Sequence, residues 1–231
     1  MRAIFIDHSG FLVELDTVCL LFDWWKGELP PLPEGKPLLA FASHSHDDHF
    51  NPAIFKLDTA AWLLGRDIKP RSLARKSVSP EMMERCHILR GGDTVSPMPG
   101  ITVEALTSTD LGVAFLVTAD GQTVFHAGDL NWWHWAEEPD PWNPEMEVHF
   151  KQYAEPLRKR HIDLALLPLD PRLKEDGFRG PKYFLELADI DRFIPMHQWD
   201  DFAFTDAFLS RYPQFTAQTA PVTRCGQVFE F

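Results

Sequence analysis

The segment from His44 to His49 constrains this chain more than any other. It places three imidazoles and two carboxylates within six positions, in the order His-Ser-His-Asp-Asp-His, directly after the apolar run of residues 37–42. Alternate residues of an extended chain point to the same side, so His44 and His46 can bind one metal ion. The turn that follows presents Asp48 and His49 to a second ion. The spacing therefore predicts a metal site at the end of a strand, and the alternative is a loop of solvated or buried histidines.

The length and the charge of the chain limit what it can be. At 231 residues it lies within the range of one large α/β domain, so we expect a single domain over residues 1–231. The formal net charge of -12 disfavours attraction to nucleic acid or to an anionic membrane. We expect a small-molecule substrate and no nucleic-acid or membrane partner, while the oligomeric state stays open.

The three cysteines predict a reducing compartment. Cys19, Cys86 and Cys225 are scattered and form no Cys-x-x-Cys pair, so the sequence supports neither a disulfide framework nor a thiolate zinc site. Asp7 and His8 interrupt the stretch in which a signal peptide would need an apolar core, and no apolar run approaches the roughly 18 residues of a spanning helix. We therefore expect a cytoplasmic protein.

Hydrophobic patterning predicts two halves of different character. Short apolar runs indicate strands at residues 3–6, 11–15, 18–22, 61–64, 87–89, 101–106, 113–118 and 123–126. Asp120-Gly121 predicts a hairpin turn between the last two, and Asn51-Pro52 starts a short helix that ends at Leu57. The second half alternates helices at 145–161, 182–188 and 203–212 with strands at 163–168 and 192–195. Two such halves are typical of an α/β, four-layer αββα sandwich with metals at one edge between its sheets.

Two further landmarks follow the hexapeptide along the chain. Gly128-Asp129 comes just after a predicted strand, and a late predicted strand ends in His197. The segment from His44 to His49 and these landmarks, in this order, resemble the signature of the metallo-β-lactamase-fold hydrolases, in particular the lactonase-like branch and its uncharacterised relatives. The resemblance spans most of the chain and implies the αββα fold of that family.

The resemblance also implies a set of ligands and a reaction. By that pattern, the first metal is bound by His44 and His46, the second by Asp48, His49 and His197, and Asp129 bridges the two. The cofactors implied are two divalent metal ions, with zinc favoured and manganese, iron or nickel as alternatives. They would generate a metal-bound hydroxide that attacks a small ester, lactone or phosphoester. Asp48 and Asp129 would be catalytic residues, and Asp48 would orient the hydroxide or take its proton.

The chain departs from the family pattern at one position. The family usually offers a further histidine for the first metal on the strand that precedes the Gly-Asp hairpin, whereas this chain has Ser108 there, and serine is a poor ligand. Either His134 or Asp110 replaces the histidine as a ligand, or the first site is weaker, or the protein holds one metal.

Five other residues are candidates for supporting roles, each with an ordinary structural alternative. His8 lines the edge of the site or lies in a solvated turn, and Asp23 hydrogen-bonds a metal-bound histidine or belongs to a plain turn. His126 orients a ligand carboxylate or is a buried histidine satisfied by backbone groups. Trp132 and Trp133 belong to a tryptophan-rich loop that is predicted to cover the site, and the alternative for them is core packing.

Two other functions remain as alternatives. A nucleic-acid phosphodiesterase would use the same ligands but needs an extended basic surface, which this acidic chain does not supply. A non-catalytic protein that keeps the fold, and a metal for stability or sensing, is compatible with the serine at Ser108.

Overall fold

The computed structural model describes residues 1–69 and 78–231 and contains two mixed β-sheets. The strands of the first sheet are β1 Arg2–Asp7, β2 Gly10–Glu14, β3 Cys19–Phe22, β4 Leu38–Ala42, β5 Ala61–Gly65, β6 Cys86–Leu89 and β13 Val228–Glu230. Their order in the sheet is β13-β1-β2-β3-β4-β5-β6. The pairs from β13 to β3 are antiparallel, and those from β3 to β6 are parallel.

The second sheet contains the middle part of the chain. Its strands are β7 Thr94–Val95, β8 Thr102–Thr107, β9 Val113–Ala119, β10 Gln122–His126, β11 His161–Pro168 and β12 Asp189–Met196. Their order is β12-β11-β10-β9-β8-β7, with parallel pairing among β10, β11 and β12 and antiparallel pairing elsewhere. The carboxyl ends of the parallel strands therefore meet at one edge of this sheet.

Helices connect the strands of both sheets. The α-helices are α1 Pro80–Glu84, α2 Trp142–Ala154, α3 Arg179–Leu187 and α4 Phe204–Arg211. The 3-10 helices are Pro52–Lys56, Glu155–Leu157, Pro171–Phe178 and Pro213–Phe215. In the ranges 1–69 and 78–231, no helix is long and apolar enough to cross a lipid bilayer.

The first sheet is apolar on both faces. Leu39 and Phe41 of β4 point into the core between the sheets. Ala40 and Ala42 point the other way and pack with Ile54 of the 3-10 helix Pro52–Lys56. A strand that is buried on both faces has no polar alternation, which explains why β4 is apolar throughout.

Aromatic contacts define the order of the layers. Phe41 of the first sheet meets Phe115 of the second sheet, with ring centroids 5.1 Å apart. Phe125 of β10 meets Phe184 of α3 at 5.6 Å, and Phe184 meets Phe150 of α2 at 5.1 Å. The layers are thus helix, sheet, sheet and helix, so the predicted αββα sandwich is confirmed.

The predicted strands are largely confirmed, and the differences have local causes. The hairpin turn lies at Asp120 and Gly121, whose φ angles of 53° and 74° suit the turn that joins two antiparallel strands. The predicted helix over residues 145–161 is wrong at its end, because α2 ends at Ala154 and Pro156 cannot continue an α-helix. The short strand β13 was not predicted, since three residues carry too little periodicity.

The two sheets touch at Ser43, the residue before the hexapeptide. The carbonyl of Ser43 accepts a hydrogen bond from the N–H of Val113 in the second sheet at 3.0 Å. A Cβ on Gly112 would lie 1.9 Å from the Ser43 oxygen, and a Cβ on Gly128 would lie 2.7 Å from the Ser43 Cβ. Both glycines have positive φ, which glycine adopts without strain. Because they also lack a side chain, Ser43 can lie directly against their backbone.

Candidate metal centre

Side chains from six loops converge at the edge where the two sheets meet. The loops follow β1 with His8, β4 with the hexapeptide, β8 with Asp110, β10 with Asp129, β11 with Asp170 and β12 with His197. Two groups of potential ligand atoms result, each within 4.8 Å of one another. The first group contains His44, His46, Asp110 and Asp129, and the second contains His8, Asp48, His49 and His197.

Asp129 lies between the two groups. Its Oδ2 is 3.6 Å from His44 Nε2, while its Oδ1 is 3.2 Å from His49 Nε2 and 3.5 Å from His197 Nε2. Within the first group, His44 Nε2 and His46 Nδ1 are 3.0 Å apart. Two nitrogens bound at ~2.05 Å to one tetrahedral ion would be separated by about 3.3 Å, so these rings are close to the spacing of shared ligands.

Carboxylates behind two of the imidazoles fix the direction of the rings. His49 Nδ1 donates to Asp23 Oδ2 at 2.8 Å, and His197 Nδ1 donates to Asp170 Oδ2 at 2.9 Å. Each bond leaves the Nε2 atom free to face Asp129. Such carboxylate–histidine pairs are typical of metal sites, where they select the tautomer and raise the basicity of the ligand nitrogen.

Ser43 fixes the third buried imidazole. Its N–H and its Oγ both donate to Asp23, at 2.7 Å each. Because the hydroxyl hydrogen is used in this way, the Ser43 oxygen accepts from His44 Nδ1 at 2.9 Å, and His44 Nε2 carries the lone pair. One buried carboxylate, Asp23, thus orients His49 directly and His44 through a serine.

Burial and mutual charge set the ionisation of the centre. Burial alone would raise the pKa of Asp129, but the charges of His49 and His197 outweigh it and hold that pKa well below its usual range. Burial lowers the pKa of the His8 imidazole to about 4. Burial, followed by the charge of His49, also lowers the pKa of His44. At neutral pH Asp129 is therefore ionised and His8 and His44 are neutral, the forms that bind cations. Burial alone would lower the pKa of His49, but the carboxylates of Asp129 and Asp23 outweigh it and raise that pKa well above its usual value, so a metal ion would have to displace the His49 proton.

Four buried atoms at this centre have no hydrogen-bond partner among the described residues. They are His8 Nε2, His49 Nε2, Asp129 Oδ1 and His197 Nε2. An unsatisfied buried polar atom costs about 1–3 kcal/mol, so four that face one another indicate a shared partner. The donors are imidazole nitrogens and carboxylate oxygens, a set that fits divalent zinc, manganese, iron or nickel.

Asp110 lies beside Ser108, the residue that stands in place of the histidine of the family pattern, and belongs to the first group of ligand atoms. The Ser108 side chain accepts a hydrogen bond from the Asp110 N–H at 3.2 Å, and Asp110 Oδ2 is 3.7 Å from His46 Nδ1. His134 belongs to neither group of ligand atoms in the described part of the chain. Of the two predicted substitutes, the structure brings Asp110 to the centre and leaves His134 outside it.

Of the residues predicted to support the ligands, some lie at the centre and others do not. Asp23 accepts the predicted hydrogen bond from a hexapeptide histidine, His49, and His8 is buried with its Nε2 3.5 Å from Asp48 Oδ2. His126, however, hydrogen-bonds backbone groups of Ser9 and Gly128, so the prediction that it orients a ligand carboxylate is wrong and the alternative applies.

The two tryptophans have separate environments. Trp133 donates from Nε1 to the Asp129 carbonyl at 3.0 Å and lines a cavity beside the centre. The prediction that Trp132 covers the site is wrong, because its ring packs on Phe150 at 5.7 Å and lines a different groove. The side chains of these neighbours face different cavities, and hydrophobic content alone does not reveal which side each one faces.

Three residues at the centre were not found from the sequence. Asp170 holds His197, and Arg172 in turn bonds Asp170 through its Nε and Nη2 atoms. Ser43 orients His44. A signal for Asp170 exists, since it is an acidic residue two positions after a buried parallel strand, where the carboxyl ends of neighbouring strands meet.

A cavity of about 330 Å³ opens onto the centre. Its polar lining consists of His46, Asp48, Thr109, Asp110, Asp129, Arg172 and His197, and its apolar lining of Trp133, Trp135, Trp142 and Met146. This volume is at the lower end of the range for small-molecule sites, about 300–1,000 Å³.

Two relatives of the chain in sequence share one description. No family model matches the chain. A UPF0173 metal-dependent hydrolase from Opitutus terrae is 34% identical over 146 residues, which are 56% of this chain and 63% of that protein. A UPF0173 metal-dependent hydrolase from Desulforamulus reducens is 28% identical over 217 residues, 85% of this chain and 84% of that protein. The chain thus spans just under two thirds of the first relative.

Solved structures share the fold. The metallo hydrolase Igni18 from Ignicoccus hospitalis has a TM-score of 0.64 and 20% identity, covering 100% of this chain and 98% of that one. The metallo-β-lactamase fold protein YhfI from Bacillus subtilis has a TM-score of 0.56 and 13% identity, covering 99% of both chains. At these identities the likeness concerns the fold alone.

Proposed function

We propose that this chain is a metal-dependent hydrolase that cleaves a small ester, lactone or phosphoester with two divalent metal ions. Its similarity to two UPF0173 metal-dependent hydrolases and the fold that it shares with a metallo-β-lactamase fold protein support the proposal. One observation carries the proposal. The Asp129 carboxylate lies between two groups of imidazoles, and its Oδ1 and the His49 and His197 nitrogens that face it have no hydrogen-bond partner among the described residues. An anion in that position relieves the repulsion between two nearby cations.

The ligands divide between the two ions by position. His44, His46 and Asp110 would hold the first ion, and Asp48, His49 and His197 the second. Asp129 would contact both. Bound divalent ions would lower the pKa of a water molecule and polarise the substrate oxygen.

Asp48 has the geometry of a residue that orients the attacking water. It lines the cavity, and its side chain is 27% exposed. Burial alone would raise the pKa of its carboxyl, but the imidazoles of His8 and His49 outweigh burial and lower it strongly. An ionised carboxylate of low pKa accepts hydrogen bonds well and takes protons poorly, so orientation is the role that fits it better.

The donor set supports zinc as the proposed metal. Imidazole nitrogens form the majority of the ligands, which favours zinc, with manganese, iron or nickel as alternatives. Three carboxylates, those of Asp48, Asp110 and Asp129, balance much of the charge of two divalent ions. The unpartnered buried atoms of His8, His49 and His197 support the second ion. We propose the first ion from the 3.0 Å spacing of His44 Nε2 and His46 Nδ1 and from Asp129, which faces both groups.

The expected partners and location belong to the same proposal. The cavity suits a small molecule by its volume, and the net charge of -12 does not favour nucleic acid. All three cysteines are free, as in a protein of the reducing cytosol.

The test is Asp129→Asn, with Asp58→Asn as the control, because Asp58 is exposed and outside the centre. Metal content by elemental mass spectrometry and hydrolysis of an ester, lactone and phosphodiester panel are measured on the same samples. We expect the first variant to lose metal and hydrolysis together, while the control keeps both. Full activity of Asp129→Asn would refute the dinuclear assignment.

A further inference from the structure

The apolar part of the cavity lining begins directly at the candidate metal centre. The Trp133 ring lies 5.5 Å from the His197 ring, centroid to centroid. The Trp135 ring is parallel to Trp133 within 6° at 6.3 Å. Trp142 and Met146 complete this part of the lining. A substrate bond placed at the metals would therefore have tryptophan rings next to it.

Trp133, Trp135 and Trp142 form one wall of the cavity, the tryptophan wall, and hydrogen bonds hold it in place. Trp133 donates to the Asp129 carbonyl, and the Trp135 N–H and carbonyl both bond the Asn143 side chain, at 3.0 and 2.7 Å. Thr109 Oγ1 donates to the Asn131 carbonyl at 2.7 Å, which ties the start of the same segment. A wall that is formed before binding reduces the entropy that binding costs.

Arg172 adds a flat surface to this wall. Its guanidinium lies over Trp135 at 5.5 Å and over Trp199 at 4.6 Å. Its Nε and Nη2 atoms bond the buried Asp170 carboxylate, which offsets its charge. Arg172 is also the only Lys or Arg among the described residues of the lining. The cavity is therefore poorly suited to a second anionic group, such as the phosphate of a sugar phosphate or a nucleotide.

Exposed aromatic surface continues outside the cavity. Trp142 and Trp199 are each 45% exposed, and Leu111, next to Asp110, is 41% exposed. Single exposed apolar residues are ordinary, but Trp142 lines this cavity, and Trp199, which lines a neighbouring cavity, lies under Arg172 of the lining. Indole faces favour planar rings over aliphatic groups of equal size, because stacked and edge-on ring contacts add to the burial of area.

We propose that this protein selects substrates in which an uncharged aromatic group is attached next to the bond that is hydrolysed. The inference rests on the proposed function, because it assigns the substrate class to the same centre. The tryptophan wall would select the aromatic group, and the volume of about 330 Å³ admits a single ring with a short hydrolysable group.

The first experiment measures binding without chemistry. Acetohydroxamate, cyclohexanecarbohydroxamate and benzohydroxamate carry the same metal-chelating head and differ in the group beside it. Calorimetric titration of the metal-loaded protein should give benzohydroxamate an affinity about tenfold above that of the other two. Equal affinities, or a cyclohexyl compound that binds as tightly as the phenyl compound, would overturn the inference.

The variants locate the preference. Trp135→Leu and Trp142→Leu keep an apolar side chain but remove the indole face, and each should reduce the phenyl preference severalfold. Val148→Ala is the matched control, since Val148 is 62% exposed on the same helix as Trp142 and lines no part of the cavity. An unchanged preference in both tryptophan variants would contradict the assignment of the wall.

Hydrolysis separates this inference from the proposed function. For phenyl acetate, Trp135→Leu should raise KM with little change in kcat, whereas ethyl acetate should show less than a twofold change. Each ester is compared between protein variants, so its intrinsic reactivity cancels. Metal binding and ester hydrolysis without aromatic preference would overturn the inference alone, and a protein that binds no metal would overturn both.

Discussion

His197 donates its Nδ1 hydrogen to Asp170 Oδ2 at 2.9 Å, and this bond turns the opposite nitrogen of the ring toward Asp129. Asp170 is fully buried at the end of β11, where burial raises its carboxyl pKa and the neighbouring His197 and Arg172 outweigh that effect and lower it. The carboxylate thus holds His197 without being a ligand itself.

Asp170→Asn should weaken metal binding about 10–100-fold, because it removes the charge that orients and polarises His197. Competition with a chelator of known affinity measures the change. Asp176→Asn is the control, since Asp176 pairs with Arg179 at the surface, outside the centre. An unchanged affinity in Asp170→Asn would mean that packing alone fixes the ring.

Asp110→Asn should reduce the metal content from two ions per chain to one. The side chain lies 3.7 Å from His46 Nδ1 and would supply the ligand atom that the family pattern takes from a histidine. Elemental mass spectrometry after dialysis gives the stoichiometry. His134→Ala should keep both ions, and loss of an ion from that variant instead would reverse the assignment.

Gly112→Ala should lower the free energy of unfolding by about 3 kcal/mol and weaken metal binding as well. A Cβ at this position would lie 1.9 Å from the Ser43 oxygen and would displace the strand end that carries His44. Gly121→Ala has a similar positive φ but open space around it, so it should cost only about 1 kcal/mol and leave metal binding intact. Chemical denaturation of both variants provides the comparison.

The metal-free protein should lose stability as the pH falls from about 6.5 to about 4. Burial lowers the pKa of His8 from 6.5 to about 4, so in this window the unfolded chain binds a proton that the folded chain does not. The contribution is about 3 kcal/mol at its full extent. His8→Asn, which suits the φ of 53° at this position, should show a shallower pH dependence of the unfolding free energy. Parallel curves for the two proteins would refute this account.

The sequence predicts the layers and the convergence of the hexapeptide with Asp129 and His197, because those residues follow strands whose positions periodicity reveals. Asp170 was missed because it has no motif partner nearby in the chain, and its role exists only once β11 and β12 lie side by side. The separate environments of Trp132 and Trp133 depend on which neighbours pack against each side of their loop. Such properties arise from tertiary contacts, which a local pattern does not contain.

The contact of Ser43 with Val113, Gly112 and Gly128 joins the two halves of the molecule at the place where the candidate ligands meet. The hexapeptide belongs to one sheet, whereas Asp129 and His197 belong to the other. A bound ion would therefore act as a reversible cross-link between the halves. Removing it with a chelator would lower the stability of the whole fold as well as abolish hydrolysis.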